Sequence, residues 1–153
     1  MDPTSPLALE QINIVVRDMQ KSLAFYRLLG VSIEENRGAE WAEWVRHHVN
    51  GTTSNGVRVE LDSIAFAKQW NPVLDEAKLG CAVLPFFHVA SREEVDRVHE
   101  RVTAAGHRSQ KAPEDAFWGA RYAIVEDPDG NSVGIMSSID DSRRRPPPPP
   151  PRT

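Results

Sequence analysis

Residues 11–31, QINIVVRDMQKSLAFYRLLGV, read as a strand, a cap and a helix in direct succession. Ile12, Ile14 and Val16 alternate with Gln11, Asn13 and Val15, the period of a strand. Asp18 then stands where a helix N-cap belongs, with a carboxylate able to accept a free backbone N–H of the first turn. Met19, Leu23, Phe25, Tyr26 and Leu29 form an apolar stripe at helical spacing, and Gly30 closes it as a C-cap glycine. Three strand-like runs follow, at 31–35, 41–47 and 57–62, with NGTTSNG (50–56) as a turn by composition.

The second half repeats this order. Residues 81–90 form an apolar run of strand length. Ser91 caps a helix whose buried side is Val95, Val98, Val102 and Ala105, with Glu94 as capping-box partner and Gly106 at the end. Strands are expected at 107–110, 119–126 and 132–138, the last two joined by the strong turn Asp127-Pro128-Asp129-Gly130. Each half is thus β-α-β-β-β. The expected class is α+β, with modules at about 8–63 and 79–139, a linker at 64–78 and a tail at 140–153. Within the linker, Ala65, Phe66, Ala67 and Trp70 fit a short helix or a lid-like loop.

The remaining composition sets bounds. The chain has 153 residues, 40% of them apolar, enough for one domain with a real core. A net charge of -4 with mixed signs argues against a nucleic-acid partner, which wants a concentrated basic face. The one cysteine, Cys81, rules out an internal disulfide and fits a reducing compartment. No apolar run approaches the ~20 residues of a membrane helix, and MDPTSPLALEQ lacks the features of a signal peptide. A cytoplasmic location without membrane contact is the expectation. After about Asp140 the chain becomes DDSRRRPPPPPPRT, whose six consecutive prolines make a polyproline II tail, and everything beyond about Ile139 is expected to be dispensable for folding.

The opening stretch 11–31 and the closing hairpin WGARYAIVEDPDGNSVGIM (118–136), together with the repeated module, resemble the vicinal-oxygen-chelate superfamily of glyoxalases, bleomycin-resistance proteins and extradiol dioxygenases. The resemblance covers roughly 8–139. It implies curled mixed sheets enclosing a pocket, within one chain or across a homodimer. It also implies a divalent metal held by side chains from the first and last strand of each module. Carried over by position, the metal slots fall on Gln11, Glu60, Leu84 and Gly134. Only Gln11 and Glu60 offer a donor, so no metal cofactor is expected and these two remain weak candidates. A plain surface ion pair for Glu60 stays open beside the site role.

The expected occupant is a small organic molecule. By strand parity its pocket is lined by Gln11, Asn13, Leu84, Phe86, His88, Gly134 and Met136, along with Glu60. Trp70 and Trp118 are candidates to stack on a planar ligand, and Arg121 to pair with an acidic group on it. Gly134 is expected to free volume for a bulky ligand. The leading function is metal-independent ligand binding. The second is an enzyme of the same superfamily, a lyase or isomerase among others, using a residual metal site or acid–base chemistry at Glu60 and His88. His47 and His48 are adjacent, so at most one of them faces the pocket.

Overall fold

The computed structural model describes residues 11–34, 44–80 and 83–148, the side chains of Trp44 and Trp70 excepted. The expected strand around Trp41, and Cys81 at the start of the next one, lie outside the described residues. The chain divides into two compact units, Met1–Ala77 and Lys78–Thr153.

The first unit runs β1 (Gln11–Val16), α1 (Met19–Leu28), β2 (Ser32–Ile33), β3 (His48–Thr52), β4 (Arg58–Ser63) and α2 (Ile64–Trp70). The Asp18 carboxylate accepts the Lys21 N–H at 3.1 Å, the cap that the sequence called for. Such a cap is worth about 1 kcal/mol. The sheet order is β1-β4-β3-β2, with β1 and β4 parallel and the other pairs antiparallel. Register separates two faces. Val16, Val49, Val59 and Leu61 share one face and are buried with Met19, Leu23, Phe25 and Tyr26 of α1. The other face carries Gln11, Asn13, His48, Asn50, Arg58, Glu60 and Asp62.

The second unit repeats the topology with β5 (Phe86–Val89), α3 (Arg92–Ala104), β6 (Ser109–Asp115), β7 (Arg121–Glu126) and β8 (Ser132–Ser137), in the order β5-β8-β7-β6. Ser91 Oγ accepts the Glu94 N–H at 3.1 Å, while the Glu94 carboxylate turns to Arg97 rather than completing a capping box. Val95, Val98 and Val102 bury against the face of Ala123, Val125, Val133 and Ile135; Ala105 is exposed. In the β7–β8 turn, Asp127 Oδ1 accepts the N–H groups of Asp129 and Asn131, and Gly130 takes φ +87°. Pro113 sits on the edge strand β6, where its missing N–H breaks no ladder.

Three strand expectations are corrected. Residues 44–46 form a 3-10 turn, and the strand starts at His48, running through Asn50-Gly51-Thr52. Gly51 is a strand glycine: a Cβ there would lie 2.7 Å from Val31 Cγ1 and 3.0 Å from the Val59 carbonyl. The turn proper is Thr53 to Gly56, closed by Thr53 N–H to Val57 O at 3.0 Å. Before α3, strand among the described residues is confined to Phe86–Val89; Pro85 just ahead of it has no N–H to donate, while its carbonyl accepts from Gly134. The strand expected at 107–110 begins at Ser109 and runs on to Asp115.

The tail needs correction too. Residues 140–145 are docked on the β6–β7 turn. Asp140 N–H donates to Gly119 O at 3.0 Å, Arg145 N–H to Phe117 O at 2.8 Å and Arg145 Nη2 to Asp115 O at 2.7 Å. Gly119, at φ +94°, makes room: a Cβ would stand 2.4 Å from the Asp140 carbonyl. The segment expected to be dispensable is therefore shortened to 146–153. A chain ending at Arg145 should melt within about 2 °C of the full chain, and one ending at Ile139 roughly 4 °C or more below it. Scanning calorimetry giving equal melting points for the two truncations would refute the docking.

Candidate functional site

The outer face of the first sheet holds a connected polar cluster. Gln11 Nε2 donates to Asn13 Oδ1 at 2.6 Å, and Asn13 Nδ2 donates to Asp62 Oδ2 at 2.8 Å. The other Asp62 oxygen meets His48 Nδ1 at 2.6 Å. An ionised carboxylate only accepts, so the hydrogen of that bond sits on Nδ1. His48 Nε2 then points toward Glu60 Oε2, 3.3 Å away but off the line of a hydrogen bond. The Glu60 and Asp62 side chains are 6% and 0% exposed, and His48 keeps 23%. Helix α2 adds the fourth side. Ser63 Oγ accepts the Phe66 N–H as the helix cap, and the Phe66 ring meets His48 edge-on at 5.4 Å.

Glu60 is buried and faces His48, so it is not an exposed surface carboxylate. His48 and Asp62 are functional candidates that sequence reasoning missed. Their signal was present in the parity of β3 and β4, but it depended on knowing that β3 starts at His48. His47 points the other way, to Ser63 Oγ at 2.9 Å.

The matching face of the second sheet is aromatic. Phe86 pairs with Gly134 in register, and its ring occupies the space a side chain at 134 would take: an added Cβ would lie 2.3 Å from ring carbons. The volume expected to be free at Gly134 is thus filled by Phe86. From Phe86 the row continues to Tyr122 (ring centroids 6.5 Å apart), Trp118 (5.0 Å from Tyr122) and Phe117 (5.1 Å from Trp118). Phe86 and Phe117 are exposed, Trp118 and Tyr122 half-buried. Met136 flanks the row opposite Tyr122 and His88. His88 is exposed and, among the described residues, bonds Ser138 Oγ at 2.9 Å rather than a carboxylate. Leu84 lies before the strand and is exposed. The side chain of Trp70 is outside the described residues.

Arg121 does not serve this face. It lies on the α3 side, where Nε and Nη2 hold both oxygens of Asp96 at 2.9 and 2.7 Å and Nη1 holds Asp115 at 3.0 Å. A guanidinium clamped this way is a fastener between α3 and the β6–β7 hairpin, not a free anchor for an acidic ligand. The reason is parity: Arg121 shares a face with Ala123 and Val125, while Tyr122 takes the open one.

The metal implied by the resemblance does not fit this donor set. Leu84 and Gly134 bring no donor, and Phe86 covers the Gly134 slot. Among the described residues, no group of three His, Cys, Asp or Glu side chains is arranged to hold a metal ion. No helix among them is long and apolar enough to cross a membrane.

A family model, the Glyoxalase/Bleomycin resistance protein/Dioxygenase superfamily, matches residues 8–135. A glyoxalase-related enzyme from Fulvimarina pelagi is similar in structure at TM-score 0.72 and 18% identity, covering 86% of this chain and 88% of its own. A glyoxalase/bleomycin resistance protein/dioxygenase family enzyme from Burkholderia phytofirmans PsJN gives 0.69 and 23%, with coverage of 86% and 98%. A glyoxalase/dioxygenase from Nostoc punctiforme gives 0.69 and 20%, with coverage of 92% and 97%. At these identities the likeness is one of fold. No curated protein matches the chain.

The Arg121 clamp has a pH signature. Hydrogen bonds from Arg121 hold both Asp96 and Asp115 below the ordinary value of 3.8, with Arg92 adding to the effect on Asp115. A carboxylate depressed in the native state binds fewer protons folded than unfolded. Its stabilisation is therefore present above 3.8 and is lost as pH falls through the depressed native value. Arg121→Gln should lower stability to urea at about pH 7, and the deficit should shrink toward about pH 2.5. A deficit constant across that range would show that the pairs carry none of it.

Proposed function

The chain belongs to the glyoxalase/bleomycin resistance protein/dioxygenase superfamily, and on that premise we propose that it binds a small planar organic molecule without a resident metal. The observation that carries this reading is the open aromatic row Phe86, Tyr122, Trp118 and Phe117. Offset and edge-on ring arrangements of this kind accept a further flat ring at little cost in side-chain order. Met136 borders the row with a pliable apolar surface. Gly134 supports the reading in a different way from that expected of it: it lets Phe86 lie across the sheet and extend the row.

A second reading within the same superfamily is an enzyme acting through acid–base chemistry. Its support is now the Asp62–His48–Glu60 arrangement in place of Glu60 with His88. An imidazole held by a carboxylate at one nitrogen presents the other in a fixed direction, the arrangement proton transfer requires. A homodimer in the cytoplasm completes the proposal, since each four-stranded sheet ends in edge strands that need covering.

Tryptophan fluorescence should change saturably with a member of a panel of planar aromatic compounds, and the compound should be recovered unchanged. Trp118→Ala should weaken that binding by about 0.5–1.5 kcal/mol, the worth of one ring pair. Recovery of an altered compound would favour the enzyme, and a panel with no saturable binder would remove the aromatic row as a site. Sedimentation at micromolar concentration should give twice the chain mass of 17.1 kDa; a monomer alone would sink the dimer.

A further inference from the structure

The first unit holds a buried acceptor with no donor among the described residues. Glu60 Oε2 is shielded from solvent, yet among the described residues no group donates a hydrogen bond to it. Its one ion-pair partner there is His48, 3.3 Å away and misaligned. Asp62, two residues on and on the same face, is wholly buried and spends its oxygens on Asn13 and His48. Two carboxylates thus share a single imidazole. The other charge on this face, Arg58, is exposed at the end of β4. Glu34, which lies beside the face through Asn50, adds a further acid at 3.3 Å from the amide. The cluster is not sealed: Asn13 is exposed and Gln11, His48 and Asn50 are half-buried, so the face opens along β1 and β3.

A buried carboxylate oxygen left unpaired loses the solvation it had in the unfolded chain and gains nothing in return. A donor brought to it restores that loss. A charged donor does more than a neutral one, because the surrounding excess is negative. We infer that the Glu60–His48–Asp62 face is a binding site for a protonated nitrogen, an ammonium or amidinium group of a small organic cation, with Glu60 Oε2 as its acceptor. This site stands on the first unit alone and is independent of the aromatic row proposed above.

The test uses three probes of one shape and different charge on the full-length chain: benzamidine, benzamide and benzoate. Binding is followed by the imidazole NMR signals of His48, assigned with His48→Gln. Benzamidine should shift these signals saturably and bind at least about tenfold tighter than benzamide, with benzoate silent. Glu60→Gln should remove most of the preference for benzamidine over benzamide. Equal affinity for the two would mean that a neutral donor such as water completes the site, and would overturn the proposal. So would the absence of any His48 response, or a preference kept intact in Glu60→Gln. If Glu60→Gln does not fold, the comparison of probes on the unmodified chain decides alone. Trp118→Ala separates the two proposals: loss of benzamidine binding there would assign the probe to the aromatic row and sink the site at Glu60.

Discussion

The parallel pairing of the first and last strand in each unit is the constraint on which the rest of the structure depends. Parallel neighbours cannot be joined by a tight turn, so the chain must cross over one face of the sheet. Here α1 and α3 make those crossings immediately after β1 and β5. Each sheet therefore has one face sealed by valines, leucine and isoleucine under a helix, and one face left for other work. Side chains alternate across the strand, so the division reaches every residue of β1, β4, β5 and β8. Glu60 and Leu61, or Gly134 and Ile135, are neighbours in sequence and opposites in environment.

This constraint explains what was legible in the sequence. The caps at Asp18 and Ser91 and the Asp127 turn are local chemistry, in which a side chain meets backbone a few residues away, and they read directly. The same holds for the two-module order, because it needs only periods and punctuation. Signals that depend on distant partners misled. Gly51 looked like turn chemistry, but it is a glycine because Val31 and the Val59 carbonyl press on it from neighbouring strands. Gly134 looked like room for a ligand, but Phe86, 48 positions earlier, takes that room. Arg121 looked like a ligand anchor because Asp96 and Asp115 are remote in sequence. In each case the partner that fixes the residue's role lies on another element of the fold.

The docked segment 140–145 is a case of the same kind. Its composition, rich in Asp and Arg before a run of prolines, is that of a solvated tail. What holds it is mostly backbone, from Asp140 and Arg145 to the carbonyls of Gly119 and Phe117, and backbone bonding leaves no mark in composition. The mark it does leave is Gly119, which at φ +94° and under the Asp140 carbonyl could not be another residue without moving the strap. The strap lands beside Trp118, so the end of the aromatic row is fixed by a segment outside either sheet.

The two units place opposite chemistry in equivalent positions. Asn13 stands five residues before the helix cap Asp18, as Phe86 stands five before Ser91, and each is paired in register with the third residue of its unit's last strand. That residue is Glu60 in one and Gly134 in the other. The next pair along the same face is His48 with Asp62 in the first sheet and Tyr122 with Met136 in the second. One backbone plan therefore carries an imidazole between two acids on one side and a ring laid across a glycine on the other. A carboxylate at the Gly134 position would collide with Phe86, and a glycine at the Glu60 position would leave His48 oriented by Asp62 alone. Each choice is tied to its cross-strand neighbour rather than to the other module, so a family that asks for matching donors in both modules finds only half of them here. The chemistry of this chain follows from the pairings it has: a charged face on which Glu60 Oε2 has no hydrogen-bond donor among the described residues, and an apolar face already lined with rings.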